Sequence, residues 1–449
     1  MNKKNICIHP WSHVNINPNG DVWPCCHQRG PEMYVLGNFK TQTIEEIFND
    51  EPIRKIRRDM IAGKLPEEVC MKCIEYEKMN IFSPRMEANR QDYAPKVHEL
   101  IAKTKPDGSI ENFKIKYWDL RWSNKCNMAC IMCDPDWSSL WTQNLKAHYK
   151  NMSEEIIESD GMLKHYRDKI GDDKVLHVPD MGWIDKHIHD VENIYFAGGE
   201  PLLMPEHWYI LEKLDKLGRH DVKIKYNTNM SKIEHLGKKG LDYWRNWPRS
   251  LMSIEASIDE TGKRAEYIRS GTIWPIVEKN IRTLVDAEVK VQPNTSIGAY
   301  NVMRLPELLD ELWELFKRKD INIPLKINLN PVLNYWCRVD VLPDEWKQKT
   351  KAKLIRFQES KMPITKLDKI LYELDRPHNE NAAHMFFRHI SFLDLNKHTT
   401  LFDALPEFQE LDDMYGGNLY EKFKNEWIEK SNSKRPDSTG TDIHSSIHN

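Results

Sequence analysis

Short apolar or alternating runs recur between helical stretches from residue 115 onward: 115–121, 192–197, 222–227, 251–258, 288–297 and 325–329. Amphipathic stretches such as 206–217 and 274–287 separate most of them. Alternating strand and helix signals predict a parallel sheet faced by helices, open or rolled into a barrel. Six strands are fewer than a full (β/α)8 barrel requires. A long insert, about 134–190, parts the first two strands. Further helices are expected around 306–318, 343–360 and 407–414.

The first 80 residues carry a different pattern. Alternating positions on either side of Pro18-Asn19-Gly20 predict a hairpin. Thr43 and Glu46 have capping-box spacing before Ile44, Ile47 and Phe48. A second helix carries Ile53, Ile56 and Met60 and stops near Gly63. Arg54, Lys55, Arg57 and Arg58 on it read as a solvated basic face. Polar, proline-bearing residues 81–112 read as a linker. The expected division is therefore 1–80, a small Cys-rich module; 81–112, a linker; 113–335, the strand–helix core; 336–430, a helical extension; and 431–449, a disordered tail rich in Ser, Asp, Thr and His.

Composition narrows the function classes. The chain has 449 residues, 40% hydrophobic and 30% charged, with 65 basic against 68 acidic side chains and a formal net charge of −3. That balance gives no clear nucleic-acid signal and no drive toward a membrane. No apolar run approaches the roughly 18 residues a span needs, and the first residues do not read as a secretory signal, so a cytoplasmic protein is expected. Nine cysteines in a reducing compartment point to metal or redox chemistry rather than to disulfides.

Eight of those cysteines fall in two groups. Cys126, Cys130 and Cys133 form a CxxxCxxC motif directly after the first strand of the repeating pattern. Three thiolates can hold a four-iron cluster but leave one iron open to a ligand, whereas such clusters normally take four cysteines. Open coordination marks catalytic sites. Gly198-Gly199-Glu200-Pro201 follows the second strand. Its glycines permit close backbone approach, and Glu200 can accept hydrogen bonds from an ammonium group.

Together these segments resemble the radical S-adenosylmethionine (SAM) superfamily. The resemblance implies a partial (β/α)6 TIM-like barrel. It also implies a three-Cys [4Fe-4S] cluster whose open iron chelates SAM, and reductive cleavage of SAM to a 5′-deoxyadenosyl radical that abstracts hydrogen from a substrate. Gly198, Gly199, Glu200 and Pro201 are implied at the SAM amino group. Asn227 and Asn229 after the third strand, and Ser257 and Asp259 after the fourth, resemble stretches at the SAM ribose and carboxylate. Arg269 stands where related enzymes carry a carboxylate-binding arginine. Met132 replaces the aromatic residue often found before the last cysteine.

The second group, Cys7, Cys25 or Cys26, Cys70 and Cys73, resembles the first half of the SPASM auxiliary-cluster domain and its shortened twitch form. The glycine spacing favours Cys25. Four ligands imply one fully ligated auxiliary [4Fe-4S] cluster, with a structural zinc site as the competitor. In most relatives this domain follows the barrel; here it precedes it. The family also implies an electron donor such as flavodoxin or ferredoxin. Its commonest substrate setting is a peptide or protein side chain, with a small metabolite, sugar or nucleotide as the other. An oxidoreductase-like or other radical modification is expected, against a non-catalytic iron–sulfur or zinc scaffold. Cys337, after the sixth strand, is a further thiol within reach of such a site, although a lone cysteine is more often structural. His187 and His189 suggest a metal less strongly than a solvated loop.

Overall fold

The computed structural model describes residues 5–28, 33–170, 181–317, 326–360 and 367–433. Its strands in chain order are β1 His13–Ile16, β2 Asp21–Trp23, β3 Gly37–Asn38, β4 Tyr117–Leu120, β5 Ala129–Cys130, β6 Asn193–Phe196, β7 Lys223–Thr228, β8 Glu234–His235, β9 Lys238–Lys239, β10 Met252–Ser257, β11 Arg269–Ser270, β12 Val291–Ile297 and β13 Asn328–Pro331. Nine of them form one sheet in the order β13-β12-β10-β7-β6-β4-β1-β2-β3. Neighbours from β13 to β1 pair in parallel. The last two contacts, β1 with β2 and β2 with β3, are antiparallel. The six runs expected as strands are thus β4, β6, β7, β10, β12 and β13, in sequential spatial order.

Register sorts the side chains of this sheet by face, because partners in a pleated sheet point the same way. Trp118, Ile194, Ile224 and Met252 are in register, as are Leu120, Phe196, Tyr226 and Ile254. All eight are buried in the main core. The opposite face carries Asn15, Asp119, Tyr195 and Lys225 in one row, and Asn227, Glu255 and Gln292 in another. One face therefore builds the apolar core, and the other is polar, with Asn15, Asp119, Glu255 and Gln292 on it buried as well.

Several expectations change. Residues 1–80 do not stand apart, because β1 joins the edge of β4 over four register pairs, His13 with Tyr117 through Ile16 with Leu120. The turn between β1 and β2 needs Gly20, whose φ is +91° and whose Cβ would lie 2.7 Å from Asn38 Oδ1. The capping box forms as expected, with Glu46 N–H donating to Thr43 Oγ1 and Thr43 N–H to Glu46 Oε2. Residues 81–112 are not a plain linker. Helices Pro84–Ala88 and Ala94–Ala102 bury Ala88, Ala94, Val97 and Ile101 in the same core. Short amphipathic turns between prolines conceal that packing from a composition reading. Arg57 is no part of a solvated face: it is fully buried and donates to the Pro10 carbonyl at 2.8 Å. Burial lowers its pKa to about 9.

The insert forms a second core, with Trp141, Leu145, Tyr166 and Ile170 against Phe392 and Trp427. Helices Glu380–Leu393 and Leu419–Ser431, which supply those partners, extend the expected helical region. Of the expected tail, residues 434–449 lie outside the described residues. Among the described residues no helix is long and apolar enough to cross a membrane.

Candidate cofactor sites

The central cysteine loop is fixed at both ends by backbone pairing. Cys130 lies in β5, which pairs antiparallel with β11, Arg269 opposite Cys130. Ile131 N–H donates to the Ile268 carbonyl at 2.9 Å, and Trp141 Nε1 donates to the Cys130 carbonyl at 2.9 Å. Cys126 N–H donates to Ser139 Oγ at 3.1 Å. Burial pushes the Cys126 thiol up to about 12, with Cys130 adding to the rise. Burial likewise raises Cys130 and Cys133; Cys126 and Cys130 add to the rise at Cys133, while Arg269 works against it at Cys130. Three neighbouring desolvated thiols resist ionisation until a cation compensates them, and a bound metal deprotonates such thiols outright.

Arg269 is the positive charge at this loop. Its Nη1 lies 3.7 Å from Cys130 Sγ, and its Nε donates to Asp259 Oδ2 at 2.8 Å. Burial opposes its charge, but Asp259 and Cys130 outweigh that, so it stays protonated. Asp259 is fully committed to the protein: it also accepts from Ser296 N–H at 2.7 Å, and its carbonyl accepts from Asn301 Nδ2 at 2.8 Å. It orients Arg269 rather than offering a free carboxylate.

Gly198 and Gly199 permit a close approach, and what they approach is the protein itself. A Cβ on Gly199 would lie 2.4 Å from the Lys125 carbonyl oxygen, and one on Gly198 would lie 3.1 Å from the Ser123 carbonyl oxygen. Gly199 N–H donates to Ser123 O at 3.0 Å and Glu200 N–H to Lys125 O at 2.8 Å. This segment is thereby bound to the entry of the cysteine loop. Glu200 is buried beneath it. Its Oε1 accepts from Thr228 Oγ1 at 2.8 Å and Leu202 N–H at 3.1 Å, and its Oε2 from Asn229 N–H at 2.7 Å. Burial raises its pKa to about 7 against those donors. Pro201 opens the short turn that follows.

Asn229 reaches the cysteine motif directly, its Nδ2 donating to Asn127 Oδ1 at 3.0 Å. Asn227 points to the polar face instead, where its amide pairs with Glu255 and with the Tyr195 hydroxyl. Ser257 ends β10 in register with Asn294. Cys337 is wholly buried, and its Sγ lies 3.7 Å from the Ile131 carbonyl, which His389 Nε2 also meets at 3.2 Å. These two residues back the loop from behind. His389 was not legible in the sequence, because only the fold brings helix Glu380–Leu393 to residue 131. His187 pairs with Glu45, Nε2 to Oε1 at 3.2 Å.

Four of the N-terminal cysteines line one cavity: Cys7, Cys25, Cys70 and Cys73, with His9, Pro24, His27, Met60, Val69 and Arg85. Cys26 is not on its wall. It hydrogen-bonds the Cys25 thiol and lies near His27 and Arg121. Helix Glu67–Lys78 buries Cys70 and Cys73 one turn apart, while Cys7 and Cys25 arrive from either side of the hairpin. Burial drives the Cys7 thiol up to about 12 and raises Cys70 and Cys73 as well. Arg85 supplies a buried cation beside them, tied to Glu77 and donating to the Ile6 carbonyl at 2.9 Å. Among the described residues, no three His, Cys, Asp or Glu side chains converge as they would on a single metal ion.

Residues 7–74 match the family model described as SPASM, an iron-sulfur cluster-binding domain. No curated protein matches the chain. Among solved structures, the chain is similar to native anSMEcpe with bound AdoMet and a peptide, at 16% identity over 54% of this chain and 59% of that one, with a TM-score of 0.30. A polyhistidine-tagged form of anSMEcpe with bound AdoMet gives 17% identity, coverage of 54% and 57%, and a TM-score of 0.32. TYW1 with a lysine-pyruvate adduct bound gives 16%, 54% and 71%, and 0.28. The match thus spans less than two thirds of the anSMEcpe chains.

Proposed function

We propose that this chain is a radical SAM enzyme with an N-terminal auxiliary iron–sulfur site. Cys126, Cys130 and Cys133 would hold the SAM-binding [4Fe-4S] cluster on a partial (β/α)6 barrel, and Cys7, Cys25, Cys70 and Cys73 a second, fully ligated one. The observation that carries the reading is the central loop. Three neighbouring thiols, Cys130 buried and Cys126 and Cys133 half-buried, stand together there with a protonated Arg269 at 3.7 Å from Cys130. The donor set suits a cluster with one open iron. The SPASM match of residues 7–74 supports the second site.

With SAM on its open iron, such a cluster supplies reductive cleavage to a 5′-deoxyadenosyl radical, which takes a hydrogen atom from substrate. The chain's own residues then have separable tasks. Arg269, held by Asp259, offsets thiolate charge and is placed to meet a carboxylate. Glu200 braces the Gly198–Pro201 segment against Thr228 and Asn229, which leaves the segment's backbone carbonyls to meet an ammonium group. Asn229 holds the loop through Asn127. Asn227 and Ser257 lie on the polar face of the sheet, where SAM or a substrate would be met. Electrons would come from a donor of the flavodoxin or ferredoxin kind.

The test is anaerobic reconstitution, then dithionite and SAM, with 5′-deoxyadenosine measured by chromatography. Formation of 5′-deoxyadenosine in the wild type and its loss in Cys126→Ala, Cys130→Ala and Cys133→Ala support the reading. A fully iron-loaded wild type that leaves SAM intact refutes it in favour of a non-catalytic scaffold.

A further inference from the structure

An apolar and basic surface flanks the outer edge of the central cysteine loop. Its most exposed part is the small hairpin of β8 and β9, joined by Leu236-Gly237. β8 lies beside the Pro201–Leu203 turn. Both hairpin turn residues have positive φ, +53° at Leu236 and +75° at Gly237. Such a turn favours Asn-Gly. A leucine there sits in the left-handed region that its Cβ disfavours, and Leu236 is also 64% exposed. Backbone geometry and solvation thus both oppose the apolar tip that the chain keeps. Ile273 and Ile276, 57% and 44% exposed, stand at the start of helix Trp274–Asp286. Gly271 before them packs on the Asn127 carbonyl, which a Cβ would meet at 2.5 Å. Asn280, one turn beyond Ile276, donates from Nδ2 to the Met230 carbonyl at 2.8 Å, and Asn127 Nδ2 donates to Ser231 Oγ at 3.0 Å. The isoleucines and the base of the hairpin therefore meet around Asn127, next to half-buried Cys126. Lys125, Lys232 and Lys279 are exposed on the same segments, against the carboxylates of Glu234 and Glu278. Burial lowers the pKa of His235 on the hairpin, and Lys125 and Lys232 lower it further, which places both lysines near it.

We propose that this surface docks an acidic one-electron carrier protein of the flavodoxin or ferredoxin kind. Leu236, Ile273 and Ile276 are its apolar contacts, and Lys125, Lys232 and Lys279 its charged rim. Apolar contacts inside a charged rim are the anatomy of a transient protein interface, and opposite charge on the partner steers the encounter. The surface adjoins the half-buried Cys126, so a carrier seated on it lies next to the loop it must reduce. One electron leaves the carrier, which is oxidised by one, and enters the cysteine-bound site; no covalent bond forms or breaks. The redox purpose rests on the radical reading above. The docking does not, and the test reads the two separately.

The test titrates the iron-loaded full chain with purified flavodoxin and with a two-iron ferredoxin by calorimetry, at low and high salt. The expected result is binding of at least one carrier that weakens as salt rises. Affinity should fall about ten-fold or more in Leu236→Asn, the loss of one apolar anchor, and likewise in the double variant Lys232→Glu, Lys279→Glu. Asparagine suits the left-handed turn, so the unfolding midpoint of Leu236→Asn should equal or exceed that of the wild type, and its loss of binding is not a loss of fold. Both variants should keep 5′-deoxyadenosine formation with dithionite, which needs no docking, and lose it with the reduced carrier as sole reductant. A wild type that fails with dithionite refutes the radical reading, while the titration still decides the docking. No binding of either carrier, or an affinity indifferent to both variants, overturns the proposal.

Discussion

The two cysteine sites solve one electrostatic problem in different ways. Both bury thiols that resist ionisation. The N-terminal site encloses its thiols: four cysteines from three segments line one cavity, and the nearby cation, Arg85, is occupied with Glu77 and a backbone carbonyl. The central site puts three thiols on one short loop and holds that loop from outside, by β11, Trp141, the Gly198–Pro201 segment, Cys337 and His389. Its cation, Arg269, reaches a sulfur directly. An enclosed set suits a closed cluster, and an externally braced loop leaves one side free for a ligand.

Removing the thiols separates the sites most strongly. Replacing Cys126, Cys130 and Cys133 by Ala should abolish SAM cleavage and lower bound iron from about eight to about four per chain. Cys25→Ala should remove the other four, whereas Cys26→Ala, off the cavity wall, should leave the iron count unchanged. Iron analysis after reconstitution reads all three. Loss of iron in Cys26→Ala but not in Cys25→Ala would reverse the ligand choice.

Arg269→Gln tests whether the charge beside Cys130 matters. Supporting residues around metal ligands typically contribute about 10- to 100-fold in metal affinity or activity, and a loss of that size in SAM cleavage is expected. Arg85→Gln should leave SAM turnover less affected, because Arg85 bonds Glu77 and the Ile6 carbonyl and acts on the N-terminal thiols. Gly199→Ala should cost about 1–3 kcal/mol of stability by overpacking, since its Cβ would meet the Lys125 carbonyl at 2.4 Å. Denaturant titration measures it.

The smallest effect is a pH slope in the cluster-free protein. Glu200 holds its proton up to about pH 7 when folded, while in the unfolded chain it releases it near about 4.3. In that window the folded state binds more protons, so the stability Glu200 contributes is complete below the lower value and is lost as pH rises through about 7. Glu200→Gln should flatten the fall. It should not erase it, because burial also raises Asp119 to about 6. An unchanged slope would show that Glu200 is ionised when folded.

Much of this was legible in the chain because it depends on local pattern. Each of the six strand signals has its strand, and the hairpin and capping box need only their own residues. The four cysteines that the SPASM resemblance singles out, Cys7, Cys25, Cys70 and Cys73, lie on the wall of one cavity. What escaped depends on register and long-range packing. That Asn15 of β1 shares a polar row with Asp119 and Tyr195 follows only once β1 is known to lie beside β4. Arg57 reads as part of a solvated face until its helix docks, and no local pattern singles out His389. The role of the paired glycines was also redirected: their spacing announces a close approach, but only the fold names Ser123 and Lys125 as what is approached.

Mössbauer spectroscopy of the reconstituted protein, with and without SAM, tests the claimed difference between the sites most directly. One four-iron cluster should change on adding SAM, at a single iron of its four, and the other should not respond. The change should vanish in Cys126→Ala and persist in Cys26→Ala. Two unresponsive clusters, or iron for only one cluster with zinc in place of the other, would contradict the account.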